Sequence, residues 1–194
     1  MSTKEGKLKA SLADYFAYDE SIEGKAEYFD GEIFDMAGGS REHARISTNV
    51  IVAVGKRLDN TPCEVIGSDL RVEVAAGTKY AYPDASIVCG EEEFSTDIPN
   101  SLRNPTVIIE ILSPTTSDFD RGGKRIYYMA MPSVQEYILI EQSAPEIEVF
   151  VRESATGWRS RQLSGLDTTL EISSLSVPVA IPLSEIYHRV TFPA

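Results

Sequence analysis

Glu110 lies inside Thr106-Val107-Ile108-Ile109-Glu110-Ile111-Leu112, a run that is otherwise apolar on both alternating sets of positions. Such a run is a strand buried on both faces. An ionised carboxylate within it is costly unless it is paired or bound to a metal. Two roles fit: an ion pair with an arginine, or a ligand to a cation. Asp84 follows Pro83 at the head of a second apolar run, Ala85 to Cys89. Proline suits a strand's first position, so Asp84 belongs either to the end of a sheet or to an ordinary Pro-Asp turn. Two carboxylates on two strands can converge on one divalent cation. Mg²⁺, with Mn²⁺ as a substitute, takes oxygen ligands and often only one or two carboxylates, leaving places for water and a phosphate oxygen. Lys124 completes the set, because Arg121, Lys124, Tyr127, Tyr128 and Met131 fall on one helical face. Its ammonium either snorkels to water or turns inward, where it would orient a water or offset phosphoryl charge.

These residues need elements to position them. An amphipathic stretch with Leu8, Leu12, Tyr15 and Phe16 at helical spacing opens the chain, and a hairpin follows around Asp30-Gly31. Ser40 is placed to cap a long helix whose face carries His43, Ile46, Val50, Val54 and Leu58, stopped by Asn60 and Pro62. Strands are expected over 63–66, 70–74, 83–89 and 106–112, then a helix over 118–131, strands over 136–141 and 146–151, a β-rich tail with strands over 158–163 and 170–172, and a short helix over 182–188. The pattern reads as one α/β domain over 1–194 with a mixed sheet. His43, on an apolar face, is either a satisfied, partly buried group or a contact to Glu27 or substrate. Tyr127 and Tyr128 read as core residues beneath the site.

Composition narrows the function. The 194 residues are 42% hydrophobic and 25% charged, enough for a full core without staples. Eighteen basic against 30 acidic residues give a net charge of −12, which argues against a nonspecific nucleic-acid coat and suits a protein that gathers divalent cations. Two cysteines, Cys63 and Cys89, exclude a disulfide scaffold and read as small buried hydrophobes. No segment reaches the 18 or so apolar residues of a membrane span, and Met1 to Ala10 has no apolar core of a signal peptide, so a cytoplasmic location is expected. The glycine pattern of a dinucleotide or P-loop fold is missing, as is a nucleophile elbow.

The order Asp30-Gly31-Glu32, Ser40 with His43, Pro83-Asp84, Glu110-Ile111-Leu112-Ser113-Pro114-Thr115-Thr116, Asp120-Arg121 with Lys124, then Glu136-Tyr137 resembles the Uma2 family, a bacterial group of endonucleases. The resemblance runs from about Glu27 to Phe150. It implies a restriction-endonuclease-like fold of the PD-(D/E)XK superfamily: a central mixed β-sheet flanked by helices, with a β-rich C-terminal extension. It implies that Asp84 and Glu110 hold Mg²⁺, with the backbone carbonyl of Ile111 as third ligand. In the general motif the lysine stands two residues after the glutamate, on the same strand face. Here that position is Leu112. The resemblance is therefore to the branch whose lysine has moved to the following helix, and Lys124 takes the role. Glu27 corresponds to the acidic residue opening the family's first conserved segment, either an outer metal or water contact or an exposed hairpin charge. The implied partner is nucleic acid, DNA ahead of RNA, bound by a homodimer. Arg57, Arg71, Arg121 and Arg125 are the candidate phosphate contacts. The charge of −12 opposes this reading and keeps two others open: a non-catalytic binding or assembly module, or a hydrolase of another phosphate ester.

Overall fold

The computed structural model describes residues 9–36, 38–113 and 117–192, so Leu8 and the segment Pro114 to Thr116 lie outside it. Helix α1 (Leu12–Ser21) starts after Ser11, whose hydroxyl accepts from the Asp14 N–H while Asp14 bonds back to the Ser11 N–H. This reciprocal cap fixes the start later than hydrophobic spacing alone suggests. Strands β1 (Ala26–Phe29) and β2 (Glu32–Asp35) form the expected hairpin. Its turn places Asp30 and Gly31 at φ 52° and 93°, a conformation Asp-Gly tolerates. Helix α2 (Arg41–Leu58) is capped by Ser40, which accepts from the His43 N–H at 3.0 Å.

The next strands are β3 (Cys63–Gly67), β4 (Arg71–Ala75), β5 (Lys79–Ala81), β6 (Ala85–Cys89), β7 (Ser101–Leu102) and β8 (Val107–Leu112). The helix expected over 118–131 is broken into α3 (Ser117–Phe119), a π-helical turn (Asp120–Lys124) and α4 (Arg125–Ala130). Gly122-Gly123 explains the irregularity: glycine is a weak helix former, and a Cβ at Gly123 would lie 2.5 Å from the Phe119 ring. Strands β9 (Glu136–Glu141), β10 (Glu146–Arg152) and β11 (Trp158–Ser164) follow, then the ribbon β12 (Thr169–Ile172) with β13 (Val179–Pro182), and helix α5 (Leu183–Ile186).

The strands divide between sheets. One has the order β2-β1-β5-β4-β7, the other β11-β10-β9-β8-β6-β3. The second is the expected mixed sheet: β8 and β9 run parallel, joined by the broken helix as a crossover, and its other pairs are antiparallel. The strand read over 70–74 belongs to the first sheet, where the short β5 pairs with it and with β1. Alternation along β8 sorts its side chains. Val107, Ile109 and Ile111 enter a core with α2, the β12–β13 ribbon and α5. Ile108 and Leu112 enter a second core with α4 and the first sheet. Glu110 therefore points toward α4. Helix α1 covers the outer face of the first sheet through Tyr15, packed on Tyr28 and Tyr80. No helix among the described residues is long and apolar enough to cross a membrane.

Cys63 and Cys89 correct the sequence reading. They face each other across β3 and β6 and form a disulfide, which two cysteines distant in sequence do not announce. With a sequence separation of 26 residues, the loop-closure relation gives about 3.5 kcal/mol of stabilisation. Reduction is expected to lower the melting temperature by roughly 7–14 °C, measured by calorimetry with and without a phosphine reductant. An unchanged melt would contradict the stabilisation assigned to the cross-link.

Candidate active site

Three separated segments deliver charged side chains to one buried point. Glu27 comes from β1, on the face that also carries Phe29. Glu110 comes from β8. The π-helical turn brings Asp120 and Lys124 together, and turns of this kind are frequent at functional sites. Lys124 Nζ lies 2.9 Å from Glu27 Oε1, 3.4 Å from Glu110 Oε1 and 3.5 Å from Asp120 Oδ1. The Lys124 side chain is only 6% exposed, so it has turned inward instead of snorkelling. The Tyr128 hydroxyl donates to Glu110 Oε1 at 3.2 Å, and the Tyr82 N–H donates to Glu27 Oε1 at 3.1 Å.

Asp84 stands at the open side of this cluster. Its N–H reaches Glu110 Oε2 at 3.4 Å, and its Oδ2 accepts from the Ile111 N–H at 2.7 Å. His43 reaches across from α2, with Nε2 3.2 Å from the same Oδ2. It bonds to Asp84, not to Glu27.

The electrostatics follow from burial. Desolvation pushes the Glu110 carboxyl well above its ordinary value; Lys124 pulls it down, while Asp120, Asp84 and Glu27 push it further up. Burial depresses Lys124, but Glu110, Glu27 and Asp120 more than offset this and raise it. Burial also lowers His43, yet bonding to Asp84, the Asp84 charge, a bond to the Ile111 backbone and the Asp120 charge leave it raised. A bond that favours the protonated ring ends on an acceptor, which on the Ile111 backbone is the carbonyl. Four carboxylates thus face one lysine and one imidazole, and the site keeps an excess of negative charge.

All five side chains singled out in the sequence, Asp84, Glu110, Lys124, Glu27 and His43, meet here. Glu27 is buried, so the exposed hairpin charge is excluded. The partner of Glu110 is a lysine in place of an arginine. Sequence reading missed Asp120 and Tyr82 as site residues and left Tyr128 in the core. The i, i+4 spacing of Asp120 to Lys124 was the available signal. The arginines nominated as phosphate contacts are engaged elsewhere: Arg57 with Glu185, Arg71 with Asp19 and Tyr82, Arg121 with Glu141 and Glu148, and Arg125 over the Phe150 ring. Among the described residues no three His, Cys, Asp or Glu side chains form a metal-ready group. The set that Mg²⁺ would use is smaller: two carboxylates and a carbonyl.

Residues 12–183 match the Uma2 family, described as "Putative restriction endonuclease". The chain belongs to the Uma2 family. The match extends beyond 27–150 at both ends, taking in α1 and the β12–β13 ribbon. The chain is 31% identical over 184 residues to the uncharacterized protein slr1290 of Synechocystis sp., covering 95% of this chain and 94% of that one. A second uncharacterized Synechocystis protein, sll1609, is 29% identical over 167 residues, covering 86% and 94%. Among solved structures, a putative nuclease belonging to DUF820 from Anabaena variabilis superposes with a TM-score of 0.71 at 17% identity, covering 91% of this chain and 97% of that one. At that identity the likeness shows the nuclease-like α/β fold.

Proposed function

We propose that this Uma2 chain is a metal-dependent endonuclease that hydrolyses phosphodiester bonds, with DNA as its substrate. The observation that carries the reading is the convergence of Asp84, Glu110, Glu27 and Lys124 in a site with uncompensated negative charge. The donor chemistry fits Mg²⁺ or Mn²⁺: Asp84, Glu110 and the Ile111 carbonyl are hard oxygen ligands, and net negative charge favours a cation over an anion. When bound, the metal supplies Lewis acidity toward the phosphate and lowers the pKa of its water.

The chain's own residues set up that chemistry. Lys124 pulls the Glu110 pKa down against the burial that raises it. The same ammonium is the candidate to orient the attacking water and to balance charge on the phosphoryl group. Tyr128 holds the orientation of Glu110, the Tyr82 N–H that of Glu27, and the Ile111 N–H that of Asp84. His43 limits the rotation of Asp84 through its Nε2 contact with Oδ2. The active form is proposed to be a homodimer, for which the edge strands β2 and β11 offer unpaired backbone.

Supercoiled plasmid incubated with Mg²⁺ tests the reading, with bis(p-nitrophenyl) phosphate run in parallel. Wild type is expected to nick the plasmid, and Asp84→Asn to lose about two orders of magnitude of that rate, since even outer-sphere changes cost 10–100-fold. Cleavage of the small diester alone would replace DNA with another phosphate ester. Equal rates for wild type and Asp84→Asn would contradict the site.

A further inference from the structure

A groove of about 440 Å³ lies beside the acid cluster, not over it. Its apolar lining includes Tyr127, Met131, Pro132 and Val74, and its charged lining is Lys79, Arg103 and Glu73. Tyr127 and Tyr128 are consecutive on α4: the second bonds to Glu110, while the first lines the groove. Tyr127 also stands three residues after Lys124, in α4 just past the π-helical turn. Phe29, two residues after Glu27, stacks on the Tyr127 ring and pairs in register with Lys79. The groove therefore continues the seam between β1 and α4 in which the acid cluster sits.

Its cations differ from the other arginines near carboxylates. Arg57 spends both terminal nitrogens on Glu185, and Arg121 divides its own between Glu141 and Glu148. Arg103 engages Glu73 through Nε at 3.0 Å, and its side chain is 48% exposed. Among the described residues its two terminal nitrogens take no partner. Glu73 is itself neutralised by that contact and held by the Tyr80 hydroxyl at 2.8 Å. Lys79 stands 4.9 Å from the centre of the Tyr127 ring and pairs with the half-exposed Asp30. In a chain of net charge −12, Arg103 is a half-exposed cation beside the site whose carboxylate partner, Glu73, is buried.

We infer that the groove receives one unpaired nucleotide of the substrate strand, next to the bond being cut. Arg103 and Lys79 bind its phosphate, and the base packs against Tyr127, Met131 and Pro132. Aromatic surface interleaved with cations is how unpaired strands are held. The volume suits a small ligand, and a base inside a duplex cannot enter it. The substrate class is thus nucleic acid with an unpaired segment: a single strand, a flap, a frayed end or the transiently unpaired stretch of a negatively supercoiled plasmid. This rests on the nuclease reading above.

The test is fluorescence anisotropy of a short labelled oligothymidylate and of a duplex of equal length, with Ca²⁺ replacing Mg²⁺. Wild type is expected to bind the single strand more tightly. Arg103→Gln should lower the salt slope by about 0.7, the value of one single-strand phosphate contact. Ala130→Glu, at the exposed rim of the groove, should weaken single-strand binding at least about fivefold, the smaller end of a lost base contact. If the duplex binds as tightly as the single strand and both variants match wild type, the inference is overturned while plasmid cleavage still stands. If thymidine monophosphate binds and the oligonucleotide does not compete, a strand subsite is likewise overturned. Absence of binding and of plasmid cleavage together would remove the nuclease reading itself.

Discussion

Lys124→Met is expected to destabilise the fold by about 3–5 kcal/mol, the range for breaking a buried ion pair by deleting one partner. The variant would leave Glu27, Glu110 and Asp120 facing each other without the lysine, each at most 7% exposed in its side chain. A melting temperature lower by roughly 6–20 °C at neutral pH is the corresponding readout. The sign with pH is defined. Lys124 is raised above its ordinary value in the fold, so its stabilisation is complete below that value and is lost only on passing upward through the raised one. Neutral pH therefore shows the full effect. Acidification should narrow the gap between variant and wild type, because protonating the carboxylates removes the repulsion that the variant exposes. A melt shifted by less than about 2 °C would mean that Lys124 is not the counterion of this cluster.

Glu110→Gln is expected to act in opposite directions on activity and stability. Activity should fall by more than about 100-fold, since the substitution removes a proposed metal ligand and outer-shell changes alone reach that range. Stability at neutral pH should rise by about 0.5–2 kcal/mol, as at other sites where a function-bearing group is held in a costly state. The cost lies in ionising a buried carboxyl whose folded pKa is well above 4.5. A raised carboxyl contributes stability that is fully present below the unfolded value and lost as pH rises through the folded one. The gain of the variant should thus be small near pH 4 and grow to its full size above the folded pKa. Lys124 keeps Glu27 and Asp120 as partners, so the substitution strands no cation. Thermal melts of both proteins across this range check the sign. A variant less stable than wild type at every pH would show that the Glu110–Lys124 pair is net stabilising.

Periodicity makes parts of this molecule legible in its sequence. The doubly apolar run around Glu110 announced a buried strand, and Ser40 with the Ile46, Val50 and Val54 face announced α2, because burial leaves a direct imprint on residue types. The two-sheet division left no such imprint. Strand β5 has three residues and β7 two, too short for alternation to register. The π-helical turn was hidden for a related reason: its cause is a contact between Gly123 and the Phe119 ring, not a period. At the site, Asp84, Glu110 and Lys124 stood out because each was a charge in an apolar setting. Tyr82 did not, since its contribution is a backbone N–H that any residue but proline would carry. The arginines misled because a cation's freedom depends on which carboxylate folds beside it, as Glu185 does for Arg57 across 128 residues.

Calorimetric titration of Mn²⁺ into wild type, Asp84→Asn and Glu110→Gln tests the metal site most directly, with no substrate to be guessed. An acidic surface binds cations loosely in all three proteins, so the variants isolate the site from that background. A discrete binding event in wild type, absent from both variants, is the result expected if Asp84 and Glu110 are the ligands. Three superimposable titrations would contradict it and leave Glu110 as a buried structural charge, held by Lys124 and Tyr128 in a fold that no longer cuts.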